Sequence, residues 1–445
     1  MKYNGQSAVV LGLGQSGVAA AELLRSLGAA TTVCESSDTP QTRERAAALE
    51  TLGISVLLGA AADADPAGYD FAVLSPGIDP SVPLVRNVAS KNIPVIGELE
   101  LAFRECACPV AAITGTNGKT TTTELTAHIL KNCGLRTIAS GNIGLPFSSA
   151  VRNSSDLDVM VVEVSSFQLE AIREFRPRVA AWLNLSPNHL DRYPGMEEYR
   201  AAKLRIFENQ TSADAAVVNA LSNLPQMPSR KTTFSAQSPD ADFTLRGTRI
   251  FFRERRILDQ SATKLPGIHN AENIMAALGI GDALGLDMEK MAEAAAGYAP
   301  PSHRCEFVRE TGGVRWVNDS KSTNLDAMEK AILSQPRPLI LIAGGKDKGT
   351  GFDANAQLVR ENVRTSVLIG EMRHRIAESW KGSDCRIADS LAEAVSTAHA
   401  LARPGDTVLF SPGTSSFDMF RNYAERGNTF KTLVNQLNPQ PPEQP

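Results

Sequence analysis

The 445-residue chain lacks several features that mark secreted, membrane-bound or disulfide-stabilised proteins. Its six cysteines are scattered and form no Cys-x-x-Cys pair, so we predict free thiols rather than a zinc knuckle or a disulfide framework. The amino-terminal stretch has neither the charged start nor the cleavage site of a signal peptide. No apolar run approaches the roughly 20 residues that a membrane-spanning helix requires. These absences favour a cytoplasmic protein without a membrane-inserted segment.

A large net charge is also missing. The chain carries 45 basic and 49 acidic residues, a formal net charge of −4, so no overall field would attract nucleic acid or an anionic membrane. No low-complexity block or short tandem repeat occurs. The composition, 42% hydrophobic and 21% charged, is that of an ordinary globular protein. A chain of this length is expected to form about two to four domains.

Short apolar strands alternate with helical stretches along the whole chain, a rhythm typical of parallel sheets with crossover helices. The rhythm is interrupted at residues 297–304, where adjacent prolines indicate a linker. We therefore predict an α/β protein of three domains: an N-terminal Rossmann-like domain (1–97), a central P-loop α/β domain (98–301) and a C-terminal Rossmann-like domain (302–445). A hairpin is predicted within residues 242–259.

The alternating strands and helices of the predicted N-terminal domain carry a glycine pattern of the kind that binds dinucleotides. Gly12-x-Gly14-x-x-Gly17 lies between a predicted strand and a predicted helix, and Glu35 ends the next strand. Backbone amides at such a helix start can bind a diphosphate, and the carboxylate can bind a ribose hydroxyl. NAD would satisfy this arrangement, as would a nucleoside diphosphate-sugar, and a tight turn without a ligand is a further alternative. Ser75 and Gly77 follow another strand and are expected at the same sheet edge.

The predicted central domain contains a sequence typical of a phosphate-binding loop, with one glycine out of place. In AAITGTNGKTTTTEL, residues 111–125, the usual pattern requires a glycine where Ile113 stands, and the chain has Gly115 instead. The amides of this loop would face phosphates at a helix start. Lys119 would add a positive charge, and Thr120 would offer a hydroxyl to Mg²⁺.

Three further polar residues of the predicted central domain lie at the end of a strand or in the segments that follow a strand. Glu163 ends a strongly apolar strand, where a carboxylate is costly unless a cation or a hydrogen-bond donor meets it, so Mg²⁺ bound to ATP is the expected partner. His189 lies in the loop after the next strand, and Lys203 lies in the helix that follows. Taken alone, these two could be a packed histidine and a solvated lysine.

Four segments in this order resemble the Mur ligase family: T-G-T-N-G-K-T, E-V-S-S-F-Q-L-E, N-L-S-P-N-H-L-D and Y-R-A-A-K. The family consists of ATP-dependent amide ligases that build the peptidoglycan peptide, and its loop reads T-G-T/S-N-G-K-T/S, which explains the displaced glycine. The resemblance covers essentially the whole chain. It implies a monomeric enzyme that adds D-glutamate to UDP-N-acetylmuramoyl-L-alanine through an acyl-phosphate intermediate.

The resemblance also implies roles for individual residues. Catalysis is implied for Lys119, Glu163, His189 and Lys203. Two Mg²⁺ ions, or Mn²⁺ in their place, would be held by Thr120, Glu163, His189 and Lys203, the last as a carbamate. ATP binding is implied for Gly115, Thr116, Asn117, Gly118, Lys119, Thr120, Thr121, Asn270, Asn273, Arg304, Asp319 and Lys321. Binding of the UDP substrate is implied for Gly14, Gln15, Ser16, Glu35, Ser36, Ser75, Gly77, Asn142, Ser165 and His189. Binding of D-glutamate is implied for Thr323, Lys348, Ser416, Phe417 and Tyr423.

Three alternatives stay open at the level of sequence. A nucleotide-binding oxidoreductase would use the Gly12–Gly17 pattern but would leave the P-loop unexplained. A non-catalytic, nucleotide-regulated module would bind ATP without releasing phosphate. Another Mur-type or folylpolyglutamate-type amide ligase would share the P-loop; however, the D-N-P-R tetrapeptide typical of the ligase that adds a diamino acid does not occur here.

Overall fold

A computed structural model describes residues 2–62, 68–76, 78, 82–142, 144–186, 192–300, 302–346 and 351–438. The chain forms two compact units, residues 1–298 and 299–445. The first unit contains two sheets and the second contains one. The predicted α/β class is confirmed, and the domain boundary at residue 97 stays a prediction. Within the described ranges, no helix is long and apolar enough to cross a membrane.

The first sheet has five parallel strands in the order β3-β2-β1-β4-β5. Because consecutive parallel strands need a crossover, helices connect most of them. The strands are β1 Ser7–Leu11, β2 Ala30–Glu35, β3 Ser55–Leu58, β4 Phe71–Leu74 and β5 Val95–Gly97. The helices are α1 Gln15–Ser26, α2 Pro40–Glu50, α3 Pro83–Ser90 and α4 Glu98–Arg104.

The second sheet has nine strands in the order β14-β13-β12-β11-β10-β9-β6-β8-β7, and only the β12–β13 and β13–β14 pairs are antiparallel. The strands are β6 Val110–Thr114, β7 Thr137–Gly141, β8 Val159–Glu163, β9 Val179–Trp182, β10 Ala215–Asn219, β11 Arg230–Ser235, β12 Phe243–Arg246, β13 Arg249–Phe252 and β14 Arg255–Asp259. The helices are α5 Lys119–Asn132, α6 Phe147–Ala150, α7 Ser166–Glu170, α8 Met196–Leu204, α9 Ile268–Ala283 and α10 Met288–Gly297.

Alternation along the central strands explains why the first two sheets form one unit. Ala111 and Ile113 of β6 point into a core formed with α5 and α9, whereas Val110 and Ala112 point into a core shared with the first sheet. Leu99 of α4 is completely buried in that shared core. Burying a side chain of this size contributes about 1.5–3 kcal/mol, so a helix lined by several such residues joins the two sheets firmly.

The second unit contains a six-stranded sheet in the order β15-β16-β20-β17-β18-β19, in which only β15 and β16 pair antiparallel. The strands are β15 Glu306–Thr311, β16 Val314–Asn318, β17 Leu339–Gly344, β18 Thr365–Ile369, β19 Cys385–Ile387 and β20 Thr407–Phe410. The helices are α11 Leu325–Ser334, α12 Ala356–Asn362, α13 Arg373–Ser379, α14 Leu391–Leu401 and α15 Tyr423–Asn435.

Candidate active site

The loop between β6 and α5 is held in a conformation that requires its glycines. Gly118 caps α5 with φ of +84°, in the left-handed region, and a Cβ there would overlap the Asn273 side-chain oxygen. A Cβ at Gly115 would lie 2.9 Å from Leu183 Cβ. The displaced glycine at position 115 therefore lets the loop pass close to β9. The result is an amide-lined turn at the start of a 14-residue helix, a geometry that can bind phosphate.

Two lysine amines meet one carbonyl oxygen of this loop. Lys119 Nζ donates to Gly115 O at 3.0 Å and to Thr116 O at 2.8 Å, and Lys203 Nζ donates to the same Gly115 O at 2.9 Å. Lys203 is 2% exposed and lies over the Tyr199 ring at 4.7 Å. Burial, together with the positive charge of Lys119, lowers the pKa of Lys203 well below its ordinary value. The buried lysine is thus an amine for which the charged form is disfavoured.

The buried carboxylate of Glu163 joins three strands at their carboxyl ends. Thr120 Oγ1 donates to Glu163 Oε2 at 2.8 Å, and Asn142 Nδ2 donates to Glu163 Oε1 at 3.0 Å. Gly141, at the end of β7, pairs in register with Glu163, and a Cβ there would overlap the Glu163 carbonyl oxygen. These contacts bring the predicted residues Thr120, Glu163 and Asn142 together at the edge where parallel sheets bind ligands.

Asn184 holds the phosphate-binding loop and was not predicted. Its side chain accepts a hydrogen bond from Asn117 N at 2.9 Å and donates to Asn117 O at 3.1 Å, and its carbonyl accepts from Thr116 N. The Thr116 hydroxyl in turn donates to Ser186 O at 3.2 Å. The signal in the sequence was an asparagine two residues after β9, at the same sheet edge as the P-loop.

Asn270 and Asn273, predicted on the ATP side, lie at the start of α9 below the loop. Asn273 accepts a hydrogen bond from Thr122 Oγ1 at 3.2 Å and donates to Asn270 Oδ1 at 3.2 Å. Asn273 is 5% exposed, so it supports the loop from beneath. Thr121 lies in the first turn of α5 and is half-buried.

The Gly12–Gly17 loop of the first sheet is held in place by contacts with neighbouring protein groups. A Cβ at Gly17 would overlap Gly12 O, whereas a Cβ at Gly14 would meet nothing within 4 Å. The two oxygens of Glu35 accept hydrogen bonds from Leu13 N at 3.0 Å and Ser37 N at 2.9 Å. Glu35 therefore shapes this loop and the start of the next one. Open space remains above Gly14.

The other residues predicted to bind the UDP substrate are distributed around this edge. Gln15 and Ser36 are exposed, Ser16 is half-buried, and Ser75 lies buried beneath the loop, with its hydroxyl donating to Gly12 O at 3.4 Å. Ser165 forms a capping box with Gln168 at the start of α7, which gives its hydroxyl a structural role.

A buried aspartate organises the predicted ATP-side loop of the second unit. Asp319 accepts hydrogen bonds from Ser411 Oγ at 2.7 Å and Cys305 N at 3.1 Å. Burial raises its pKa to about 7 despite these donors. Lys321 N donates to His303 O, and the Lys321 side chain is exposed, whereas Arg304 is half-buried.

Arg426, which was not predicted, connects two loops of the second unit. Its guanidinium is completely buried and donates to Ser320 Oγ at 3.1 Å, Ser320 O at 2.9 Å and Thr414 O at 3.1 Å. Burial lowers the pKa of Arg426 to about 10. It thereby ties the segment of Asp319 and Lys321 to the segment that leads to Ser416.

Four residues predicted to bind D-glutamate lie in these segments of the second unit or beside them. Ser416 is buried and Thr323 half-buried, whereas Phe417 is 65% exposed and Tyr423, the first residue of α15, is 38% exposed. The predicted residues Gly77, His189 and Lys348 lie outside the described residues. Among the residues that are described, no three His, Cys, Asp or Glu side chains form a cluster that could hold a metal ion.

Three family models match successive segments of the chain. They are the Mur ligase MurD-like N-terminal domain over residues 6–97, the Mur ligase middle domain over residues 113–281 and the Mur ligase glutamate ligase domain over residues 303–413. A curated relative from Geotalea daltonii, named UDP-N-acetylmuramoylalanine--D-glutamate ligase, is 43% identical over 98% of this chain and 99% of its own. The chain belongs to the Mur ligase family.

Two further proteins match this chain, one in sequence and one in fold. A second relative with the same printed name, from Geobacter metallireducens, is also 43% identical, over 98% of this chain and 99% of its own. The crystal structure of a murein peptide ligase from Psychrobacter arcticus matches with a TM-score of 0.54 at 15% identity, covering 97% of this chain and 99% of that one. The predicted family and the predicted fold class are both confirmed, the latter by this similarity and by the three sheets described above.

Proposed function

We propose that this Mur ligase joins D-glutamate to UDP-N-acetylmuramoyl-L-alanine and converts ATP to ADP and phosphate. The observation that carries the proposal is the convergence of the P-loop on the buried Glu163 carboxylate, in a chain 43% identical over 98% of its length to a ligase of that printed name. The reaction class follows from the substrates. A free carboxylate has no adequate leaving group, so it must be activated before an amine can attack its carbon and expel a leaving group.

The chemistry of the donor set around Glu163 suits a magnesium ion. Mg²⁺ prefers oxygen ligands, and the Glu163 carboxylate and the Thr120 hydroxyl lie 2.8 Å apart. Glu163 is 1% exposed, and the described hydrogen bonds to its side chain come from the neutral donors Thr120 and Asn142. A buried carboxylate in such surroundings gains from a cation. Glu163 and Thr120 would hold the ion, which would neutralise charge on the ATP phosphates.

The residues of the P-loop would bind and orient ATP. The amide-lined turn before α5 would receive the phosphates, and Lys119 would exchange Gly115 O and Thr116 O for phosphate oxygens. In the first step, an oxygen of the alanyl carboxylate bonds to the γ-phosphorus and the bond to the β-phosphate oxygen breaks, so ADP leaves. In the second step, the amine nitrogen of D-glutamate bonds to the acyl carbon, phosphate leaves, and the nitrogen loses its extra proton.

The buried Lys203 amine is suited to become a carbamate. Its nitrogen would bond to the carbon of CO₂ and release a proton, and the resulting anion would lie beside Lys119 in place of an amine whose charged form is disfavoured. Both amines now share Gly115 O, so the carbamate would attract the Lys119 ammonium, which a neutral amine does not.

A rescue experiment tests the carbamate. The Lys203→Ala variant should lose ligase activity and regain part of it when short carboxylic acids are added. Full activity of the variant without added acid would contradict this role. The Lys131→Ala variant, which changes an exposed lysine at the end of α5, is the control.

The second unit carries the residues proposed to bind D-glutamate and a further set proposed to bind ATP. Asp319, Lys321 and Arg304 are proposed on the ATP side, and Ser416, Phe417, Tyr423 and Thr323 on the amino-acid side, with Lys348. Arg426 supports this assignment, because it links the two loops that carry Lys321 and Ser416.

The substrate proposal is tested by released phosphate. Purified chain, ATP, Mg²⁺ and UDP-N-acetylmuramoyl-L-alanine are incubated with D-glutamate, L-glutamate, L-lysine or diaminopimelate in separate reactions. We expect release that depends on both the UDP substrate and D-glutamate, together with an amide product detected by mass spectrometry. A folded chain that binds ATP yet gives no such product would overturn the proposal, and product with another amino acid would reassign the substrate.

A further inference from the structure

Three sulfur atoms lie together at the end of the central sheet opposite the P-loop. Cys106 Sγ is 3.8 Å from Cys108 Sγ and 3.7 Å from Met160 Sδ. The two cysteines precede β6, and Met160 is the second residue of the adjacent β8, where it pairs in register with Val110. Because β6 has five residues, the P-loop is about 17 Å away along the strand. The reaction proposed above has no use for this cluster.

We propose that Cys106, Cys108 and Met160 form a binding site for a soft monovalent cation such as Cu(I). Thiolate and thioether sulfur are the ligands that select Cu(I) over harder cations. With metal–sulfur bonds of about 2.3 Å, sulfur atoms around one ion lie about 3.7–4 Å apart. The separations of Cys106 Sγ from Cys108 Sγ and from Met160 Sδ, 3.8 and 3.7 Å, both match this spacing, so Cys106 could share an ion with either neighbouring sulfur.

The surroundings hold the cluster in place and leave it accessible. Met160 is completely buried, so its thioether is positioned by the core. Ala107 N donates to Ser154 Oγ at 3.0 Å, which fixes the turn between the two cysteines. Both cysteines are half-buried rather than enclosed, so an ion can reach them from solvent.

A disulfide between Cys106 and Cys108 is the competing use of the same thiols. It would require the two thiol sulfurs to approach from 3.8 Å to about 2.05 Å, and it would not involve the Met160 thioether. The third sulfur, as close to Cys106 as Cys108 is, favours the metal site.

The test uses the full chain and two probes, Cu(I) kept reduced with ascorbate and the redox-inert ion Ag(I). Retention of each ion is measured against a chromophoric Cu(I) chelator or a thiol competitor, and X-ray absorption counts the sulfur ligands of bound copper. We expect one ion per chain, held by three sulfurs. In Cys106→Ser or Cys108→Ser, affinity should fall by about 100-fold or more, since losing even an outer partner of a metal site costs about 10- to 100-fold.

The Met160→Leu variant separates the metal site from the disulfide. It keeps both thiols and a similar core volume, and we expect weaker retention with only two sulfurs on copper. Cys385→Ser, which removes an unrelated half-buried thiol of the second unit, should retain copper like the parent chain. Thermal unfolding of each metal-free variant establishes that it is folded.

Two results would overturn the proposal. One is copper retention that is unchanged in the double variant C106S/C108S. The other is a disulfide between Cys106 and Cys108, detected as the loss of two hydrogen atoms to glutathione disulfide, which is reduced to two glutathione thiols, in a chain that retains neither ion when reduced. The ligase reaction enters neither measurement, so this proposal can fail or stand independently of the proposed function.

Discussion

The two glycine-rich loops of the first unit have the same strand–loop–helix layout but meet different side chains. At the loop after β1, the Glu35 carboxylate oxygens accept hydrogen bonds from the backbone amides of Leu13 and Ser37. The loop after β6 meets Glu163, which accepts side-chain donors from Thr120 and Asn142. In the first loop the carboxylate accepts hydrogen bonds from the backbone, whereas in the second it accepts them from two side chains at the carboxyl edge of the sheet. Glycine spacing thus indicates the path of a loop, and the neighbouring strands decide its chemistry.

The largest expected effect is loss of the positive charge in the second loop. Lys119→Met should reduce the turnover number by about 100- to 1,000-fold or more, because the variant lacks the cation proposed to meet the transferred phosphoryl group. Steady-state phosphate release measures the effect. Lys131→Met, at the exposed end of the same helix, should remain within about twofold of the parent, because surface substitutions change little. A comparable loss of turnover in both variants would contradict the proposed role of Lys119 in binding the transferred phosphoryl group.

One substitution made in both loops breaks the comparison directly. Glu163→Gln should reduce turnover by about 100-fold or more and raise the Mg²⁺ concentration needed for half-maximal activity, since it removes the proposed ligand charge. Glu35→Gln should leave turnover within a few-fold of the parent but lower the free energy of unfolding by about 1–3 kcal/mol, because its amide group cannot accept one of the two backbone hydrogen bonds.

Mg²⁺ titrations and urea unfolding separate the two cases. If Glu35→Gln instead leaves stability unchanged and raises the KM for the UDP substrate strongly, Glu35 acts on the ligand, and the distinction between the two carboxylates fails.

A smaller effect is expected from Gly17→Ala in the first loop. The added Cβ would overlap Gly12 O, so strand and helix must separate slightly. Such overpacking costs about 1–3 kcal/mol of unfolding free energy. Urea unfolding of the variant and the parent measures the difference. A Gly17→Ala chain as stable as the parent would show that the close approach is not required.

The smallest effect on stability is expected from Gly14→Ala. Gly14 has φ of −70° and open space where a Cβ would lie, so the variant should unfold at the same urea concentration as the parent. If the UDP substrate approaches the backbone here, its KM should rise while the KM for ATP stays constant. Unchanged values of both would place the substrate elsewhere.

Much of the fold could be predicted from local pattern. The alternating strands and helices indicated parallel α/β sheets, and the segment 242–259 indicated antiparallel pairing, which β12, β13 and β14 confirm. The Mur ligase family was identifiable because its loop motifs are short and continuous. The domain boundaries stay predictions, since the shared core around Leu99 makes residues 1–298 one compact unit.

Contacts between distant parts of the chain were not predictable. Asn184 lies 67 residues from Asn117, whose backbone it holds, and Arg426 lies 106 residues from Ser320. An asparagine and an arginine of this kind have no local signature, because each is recognised only by the partner that folding brings to it. Ser165 is the opposite case: S-S-F-Q reads locally as a capping box, and the structure places Ser165 in that role.

The sequence by itself determined the order of elements, the family and the position of the glycine-rich loop proposed to bind phosphate, because hydrophobic periodicity and glycine placement act over a few residues. Tertiary structure alone decided that Lys119 and Lys203 share one carbonyl oxygen and that Glu163 receives Thr120 and Asn142. It also brought Met160 to Cys106. The physical reason is that a sheet aligns the ends of strands that are far apart in the chain, so the charge and the donors around each group are set by its neighbours in space.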